Sequence, residues 1–141
     1  MRRLAAILII TAVLLCGCAS SGSESGNSGN ESSSSVSSAS YRQVTQDEAA
    51  ALMKSESGYI ILDVRTEEEF AGGHIPNAVC IPYDTITDAD IPQLPDKNRL
   101  ILVYCRSGRR SKIAAQQLAE NGYTNVVEFG GVNTWQGELV K

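Results

Sequence analysis

Two apolar runs constrain this chain more than any other feature. Tyr59-Ile60-Ile61-Leu62 leads straight into Asp63-Val64, and Leu100-Ile101-Leu102-Val103-Tyr104 leads straight into Cys105. Neither run alternates polar with apolar residues. A strand of that length without a polar face is buried on both sides, as in a mainly parallel sheet covered by helices on both faces. Residues 78–81 and 125–129 supply two shorter strands, the first closed by Pro82. Helical signals fall between the strands. Thr45-Gln46-Asp47-Glu48 and Thr66-Glu67-Glu68-Glu69 each spell a capping box, a Thr cap with a Glu three residues on. The first helix carries Ala49, Ala50, Leu52 and Met53 on its apolar face, and the second stops at Gly72-Gly73. Residues 108–121 read as an amphipathic helix with Ile113, Ala114, Gln117 and Leu118 on one face and Gly122 as its stop. A terminal helix is expected to begin within residues 130–135, and residues 84–95 read as loop. Strands alternating with helices give an α/β domain.

The serines are crowded outside that pattern, with 12 of them in residues 19–40. A segment so poor in apolar side chains cannot offset the entropy of ordering and is expected to be a disordered tether over 18–40. Ahead of it, Arg2-Arg3 precedes an apolar run of 12 residues, Leu4 to Leu15. That run is short of the ~20 residues of a spanning helix and reads as a secretory signal over 1–17. Leu15-Cys16-Gly17-Cys18 resembles a bacterial lipobox, which implies lipidation of Cys18 and an extracytoplasmic, membrane-anchored protein. The domain that remains, 41–141, has 10 basic and 14 acidic residues. That balance argues against nucleic acid as a partner.

The chemistry concentrates in Cys105-Arg106-Ser107-Gly108-Arg109-Arg110-Ser111, which joins a buried strand to a helix. Function gathers at the carboxyl ends of strands in such sheets. Backbone N–H groups at this junction can form an anion-binding cup, and Gly108 gives the chain freedom to turn. Three arginines at a helix start oppose the macrodipole, a poor choice for structure alone. Cys105 in that field is expected to be a low-pKa thiolate nucleophile acting on an anionic substrate. Arg106, Ser107, Gly108, Arg109 and Arg110 are the expected substrate-binding residues. Asp63 and Arg65, at a neighbouring strand end, are expected to support the loop or line its mouth. The lone histidine, His74, is set aside as scaffold, and Glu67, Glu68 and Glu69 as a solvated first turn. No His, Cys and carboxylate cluster has metal-ligand spacing, so neither metal nor other cofactor is expected.

The loop resembles that of rhodanese-type sulfurtransferases. Leu62-Asp63-Val64-Arg65 with Glu68-Glu69-Phe70, Gly73-His74-Ile75-Pro76-Asn77-Ala78, Ile81-Pro82 and Gly130-Gly131 with Trp135 extend the likeness over all of 41–141. The resemblance implies a five-stranded, mostly parallel sheet and a persulfide on Cys105, formed from a small anionic donor such as thiosulfate or a persulfide. A thiol acceptor or thiol reductant protein would receive the sulfur, and a monomer is expected. Cysteine phosphatases and arsenate reductases carry the phosphate-binding arginine six residues after the cysteine, where this chain has Ser111. The loop ending at Arg110 is one residue shorter and suits sulfur better. A non-enzymatic rhodanese-like module is the remaining alternative, disfavoured by the retained cysteine. The implied strand order places one strand between Cys80 and Cys105, about 9–10 Å apart by the inter-strand spacing and too far for a disulfide. Cys80 is therefore expected to be a small buried residue.

Overall fold

The computed structural model describes residues 39–141; the leader, Cys18 and all but the last two residues of the tether lie outside them. The expected α/β fold is observed. Strands β1 (Arg42–Gln43), β2 (Ile60–Asp63), β3 (Ala78–Cys80), β4 (Ile101–Cys105) and β5 (Val126–Gly131) form one sheet in the order β1-β5-β4-β2-β3. Every neighbouring pair is parallel. Helices α1 (Gln46–Ser55), α2 (Glu67–Gly72) and α3 (Arg109–Glu120) follow β1, β2 and β4.

All five residues of β4 are buried, because successive side chains feed two separate cores. Ile101, Val103 and Cys105 join Leu62, Val126 and Ala114, Ala115 and Leu118 of α3 on one face. Leu102 and Tyr104 join Ile61, Val127, Phe129 and Ala49 of α1 on the other. The strand's alternation thus aims Cys105 toward α3. Each fully buried Leu, Ile or Val contributes roughly 1.5–3 kcal/mol, so this strand is the least movable part of the sheet. Both capping boxes form: Thr45 Oγ1 accepts from the Glu48 N–H at 3.2 Å, and Thr66 Oγ1 accepts from the Glu69 N–H at 3.3 Å.

Four expectations need correction. The two-residue β1 was not expected, since Arg42 and Gln43 are exposed and carry no apolar pattern. No terminal α-helix follows β5, which continues to Gly131 and gives way to a single 3-10 turn, Val132–Thr134. Trp135 turns inward against Phe129, with ring centroids 5.7 Å apart, and the chain then runs on to pair Val140 with His74 through two 2.8 Å hydrogen bonds. Ile113 is 39% exposed; the buried stripe of α3 runs through Ser111, Ala114, Ala115, Leu118 and Ala119 instead. Cys80 is half-buried, with its thiol 3.7 Å from the Arg65 carbonyl, and burial pushes its pKa up. It lies on β3, separated by β2 from Cys105 on β4, and both thiols are free.

Candidate active site

Cys105 is the last residue of β4 and 1% exposed. The pairing between β4 and β5 slips between Val103 and Cys105, which brings Cys105 opposite Gly131. Only glycine fits there, because a Cβ on Gly131 would run into the Arg106 carbonyl and the Ser107 nitrogen. Gly130 and Gly131 therefore form a floor on which the loop lies. Gly108 takes φ +97 and caps α3 without any side-chain hydrogen bond. That left-handed turn aims its N–H at the Cys105 sulfur, 3.1 Å away.

Burial works against a charged thiol at Cys105. It is outweighed by hydrogen bonds from the Ser111 hydroxyl and from the N–H groups of Ser111, Ser107 and Gly108, and the thiol pKa falls below its ordinary value. Of the two expected influences, the loop donors lead: backbone and hydroxyl groups at the start of α3, rather than arginine charge, favour the thiolate. Arg106, Ser107 and Arg109 are exposed. Arg110 is bound at both guanidinium ends by Glu69, at 2.7 and 2.9 Å. Glu69 is therefore no solvated first-turn acid: Arg110 holds its pKa down at about 2.

Ser111, read only as the end of the loop, and Glu128, not singled out at all, also belong to the site. The Ser111 hydroxyl, fully buried, lies 2.6 Å from Glu128 Oε1, 3.0 Å from the Gly108 carbonyl and 3.3 Å from the Gly130 carbonyl. Its one proton serves one acceptor at a time, so Glu128 and the Cys105 sulfur compete for it. Glu128, 3% exposed, also accepts the Gly130 N–H at 2.8 Å. An acid inside Val126-Val127-Glu128-Phe129 was the available signal, since a charge at a strand position facing a core must have donors. The Glu69–Arg110 pair spans 41 residues and left no local signal.

Asp63 is fully buried and grips Arg65, with Nη2 2.6 Å from Oδ2 and Nε 2.9 Å from Oδ1. Arg65 Nη2 also donates to the Gly73 carbonyl at 2.8 Å. Burial opposes the Arg65 charge, but Asp63 prevails and raises its pKa. Both acidic and basic members stand at the end of β2, beside the end of β4. His74 stacks on Phe70 at 3.7 Å and its Nδ1 meets the Phe70 carbonyl at 3.0 Å, a packing role. A cavity of about 390 Å³ opens beside the loop, walled by Arg65, Glu69, Arg106, Val132, Asn133 and Leu139. A larger one of about 600 Å³, between α1 and the segment around Trp135, includes no residue of the loop.

A parallel α/β sheet that presents a hydrogen-bonded thiol of lowered pKa at a strand-to-helix turn defines a class of α/β domains built around a loop cysteine. The sequence profile of the rhodanese-like domain matches residues 45–138, and the chain belongs to that family. It is 38% identical over 71 residues to the thiosulfate sulfurtransferase PspE of Escherichia coli K12, covering 50% of this chain and 68% of that protein. It is 33% identical over 97 residues to the thiosulfate sulfurtransferase GlpE of Coxiella burnetii, covering 68% and 88%. A solved rhodanese-like domain protein from Staphylococcus aureus superposes with a TM-score of 0.60 at 37% identity, over 70% of this chain and 96% of the other. Sulfurtransferase activity is supported at family level.

Proposed function

We propose that this chain moves sulfane sulfur from a small anionic donor to a thiophilic acceptor through a persulfide on Cys105. The observation that carries the reading is the thiol's position: buried, pKa lowered, and facing N–H donors that α3 leaves without a side-chain cap. The Cys105 thiolate attacks the outer sulfur of the donor. A sulfur–sulfur bond forms on Cys105, the donor's own sulfur–sulfur bond breaks, and its electron pair departs with sulfite when the donor is thiosulfate. The Gly108, Ser107 and Ser111 donors then hold the terminal sulfur's negative charge until an acceptor thiolate or cyanide removes it. The binding loop contributes Arg106 and Arg109 as exposed positive charge. With Arg110 engaged by Glu69, the loop has no spare inward guanidinium for a tetrahedral phosphate, which favours sulfur over phosphoryl chemistry. Intact mass after donor addition tests the reading. The wild-type domain should gain one sulfur atom, Cys80→Ser should too, and Cys105→Ser should gain none and lose more than ~10³-fold in turnover. Efficient hydrolysis of aryl phosphates without any sulfur gain would replace it with the phosphatase reading.

The lipobox-like Leu15-Cys16-Gly17-Cys18 supports a lipid anchor on Cys18, with the domain held outside the cytoplasm on the serine-rich tether. Cys18→Ser should leave an unprocessed precursor or a protein released from the membrane fraction. Normal processing and retention would remove the anchor from this reading.

A further inference from the structure

Four guanidinium groups (Arg65, Arg106, Arg109 and Arg110) and three carboxylates (Asp63, Glu69 and Glu128) stand in or beside the Cys105 loop. Arg65 is bound by Asp63, and Arg110 by Glu69. Arg106 and Arg109 have no carboxylate within salt-bridge distance among the described residues. The charged side chains that line the cavity beside the loop, Arg65, Arg106 and Glu69, carry one formal net positive charge, which a Cys105 thiolate cancels. Arg65, Glu69 and Arg106 line that cavity together with the apolar side chains of Val132 and Leu139.

We propose that Glu69 sets the charge of the donor, so that the site takes monoanionic sulfane-sulfur compounds, organic thiosulfonates and persulfides, in preference to the thiosulfate dianion. The inference rests on the sulfurtransferase reading and narrows its substrate. Arg110 holds Glu69 ionised down to about pH 2, so no accessible pH relieves the repulsion of a second donor charge. Freeing Arg110 for the donor would break two charge-assisted hydrogen bonds, each stronger than a neutral one. Val132 and Leu139 offer an organic substituent a surface that thiosulfate cannot use.

Thiosulfate and methanethiosulfonate carry the same terminal sulfur and differ by one charge. With either, Cys105 bonds to that sulfur and the donor's sulfur–sulfur bond breaks, its electron pair leaving with sulfite or methanesulfinate. The experiment compares kcat/KM for both donors, with cyanide as acceptor, in the wild type, Glu69→Gln and Arg106→Ala. Glutamine at this position still serves the Thr66 capping box. Because an electrostatic effect scales with donor charge, Glu69→Gln should raise kcat/KM about 10-fold for thiosulfate and about 3-fold for methanethiosulfonate. Arg106→Ala, at an exposed position, should move the ratio of the two the opposite way. Both shifts should shrink at high salt, which a merely structural role of Glu69 would not produce. Equal changes for the two donors, with sulfur still transferred, would overturn charge selection alone. Failure of both donors to add sulfur to wild-type Cys105 would overturn the sulfurtransferase reading beneath it.

Discussion

The two turns that leave the centre of the sheet, β2 into α2 and β4 into α3, have opposite designs. After β2, every exposed demand is met from within. Asp63 takes the Arg65 N–H and guanidinium, Thr66 and Glu69 close a capping box, and three glutamates sit at the positive end of α2. After β4, Gly108 caps α3 with no side-chain oxygen, and the first turn of α3 has no acid. The helix-start donors that α2 spends on its own side chains, α3 turns toward the Cys105 sulfur. A helix N-terminus left uncapped by its own sequence is available to an anion, and here the Cys105 sulfur faces it. The contrast separates a turn whose donors serve the fold from one whose donors face the cysteine.

Asp63→Ala attacks the self-satisfied turn at its deepest point. It strands a guanidinium that is 6% exposed, and removing one partner of a buried pair costs about 3–5 kcal/mol. Chemical denaturation should show that loss; a cost below ~1 kcal/mol would mean that the first turn does not hold the fold. Ser111→Ala probes the other turn. It takes a donor from Glu128 and from the thiol, so stability should drop by about 1–3 kcal/mol and the Cys105 titration should move to higher pH. A hydrogen bond that favours the thiolate is lost, so the acid limb of the alkylation rate shifts upward with it. Its counterpart, Thr66→Ala, removes the α2 cap and should cost about 1 kcal/mol with the Cys105 titration unmoved. If pH-dependent alkylation and thermal melts showed the two variants to be alike, the division between structural and chemical turns would collapse.

Much of this was written locally. The unalternating runs at 59–64 and 100–104 demanded a doubly covered parallel sheet, and Thr45 and Thr66 with their partner glutamates marked two helix starts to the residue. Cys105 at a strand end before Gly108 pointed to the loop. Ile113 misled because a branched apolar residue was taken as core, whereas close approach of α3 to the sheet selected alanines. The terminal helix misled because Gly130-Gly131 and Trp135 looked like a helix start. Their roles are contacts instead: a glycine floor under the loop and an indole packed on Phe129.

The sequence by itself determined the central strands and helices, the α/β class and the place of Cys105 at a strand end, because periodicity, caps and turn residues act over a few neighbours. Only the tertiary structure decided which charges remain for a ligand. Arg110 and Glu69 lie 41 residues apart, and Ser111 and Glu128 lie 17 apart. Nothing local distinguishes a glutamate that neutralises the loop from one that merely faces water at a helix start. That choice is made by folding, because the electrostatics of a site depend on distance in space and on burial rather than on order along the chain.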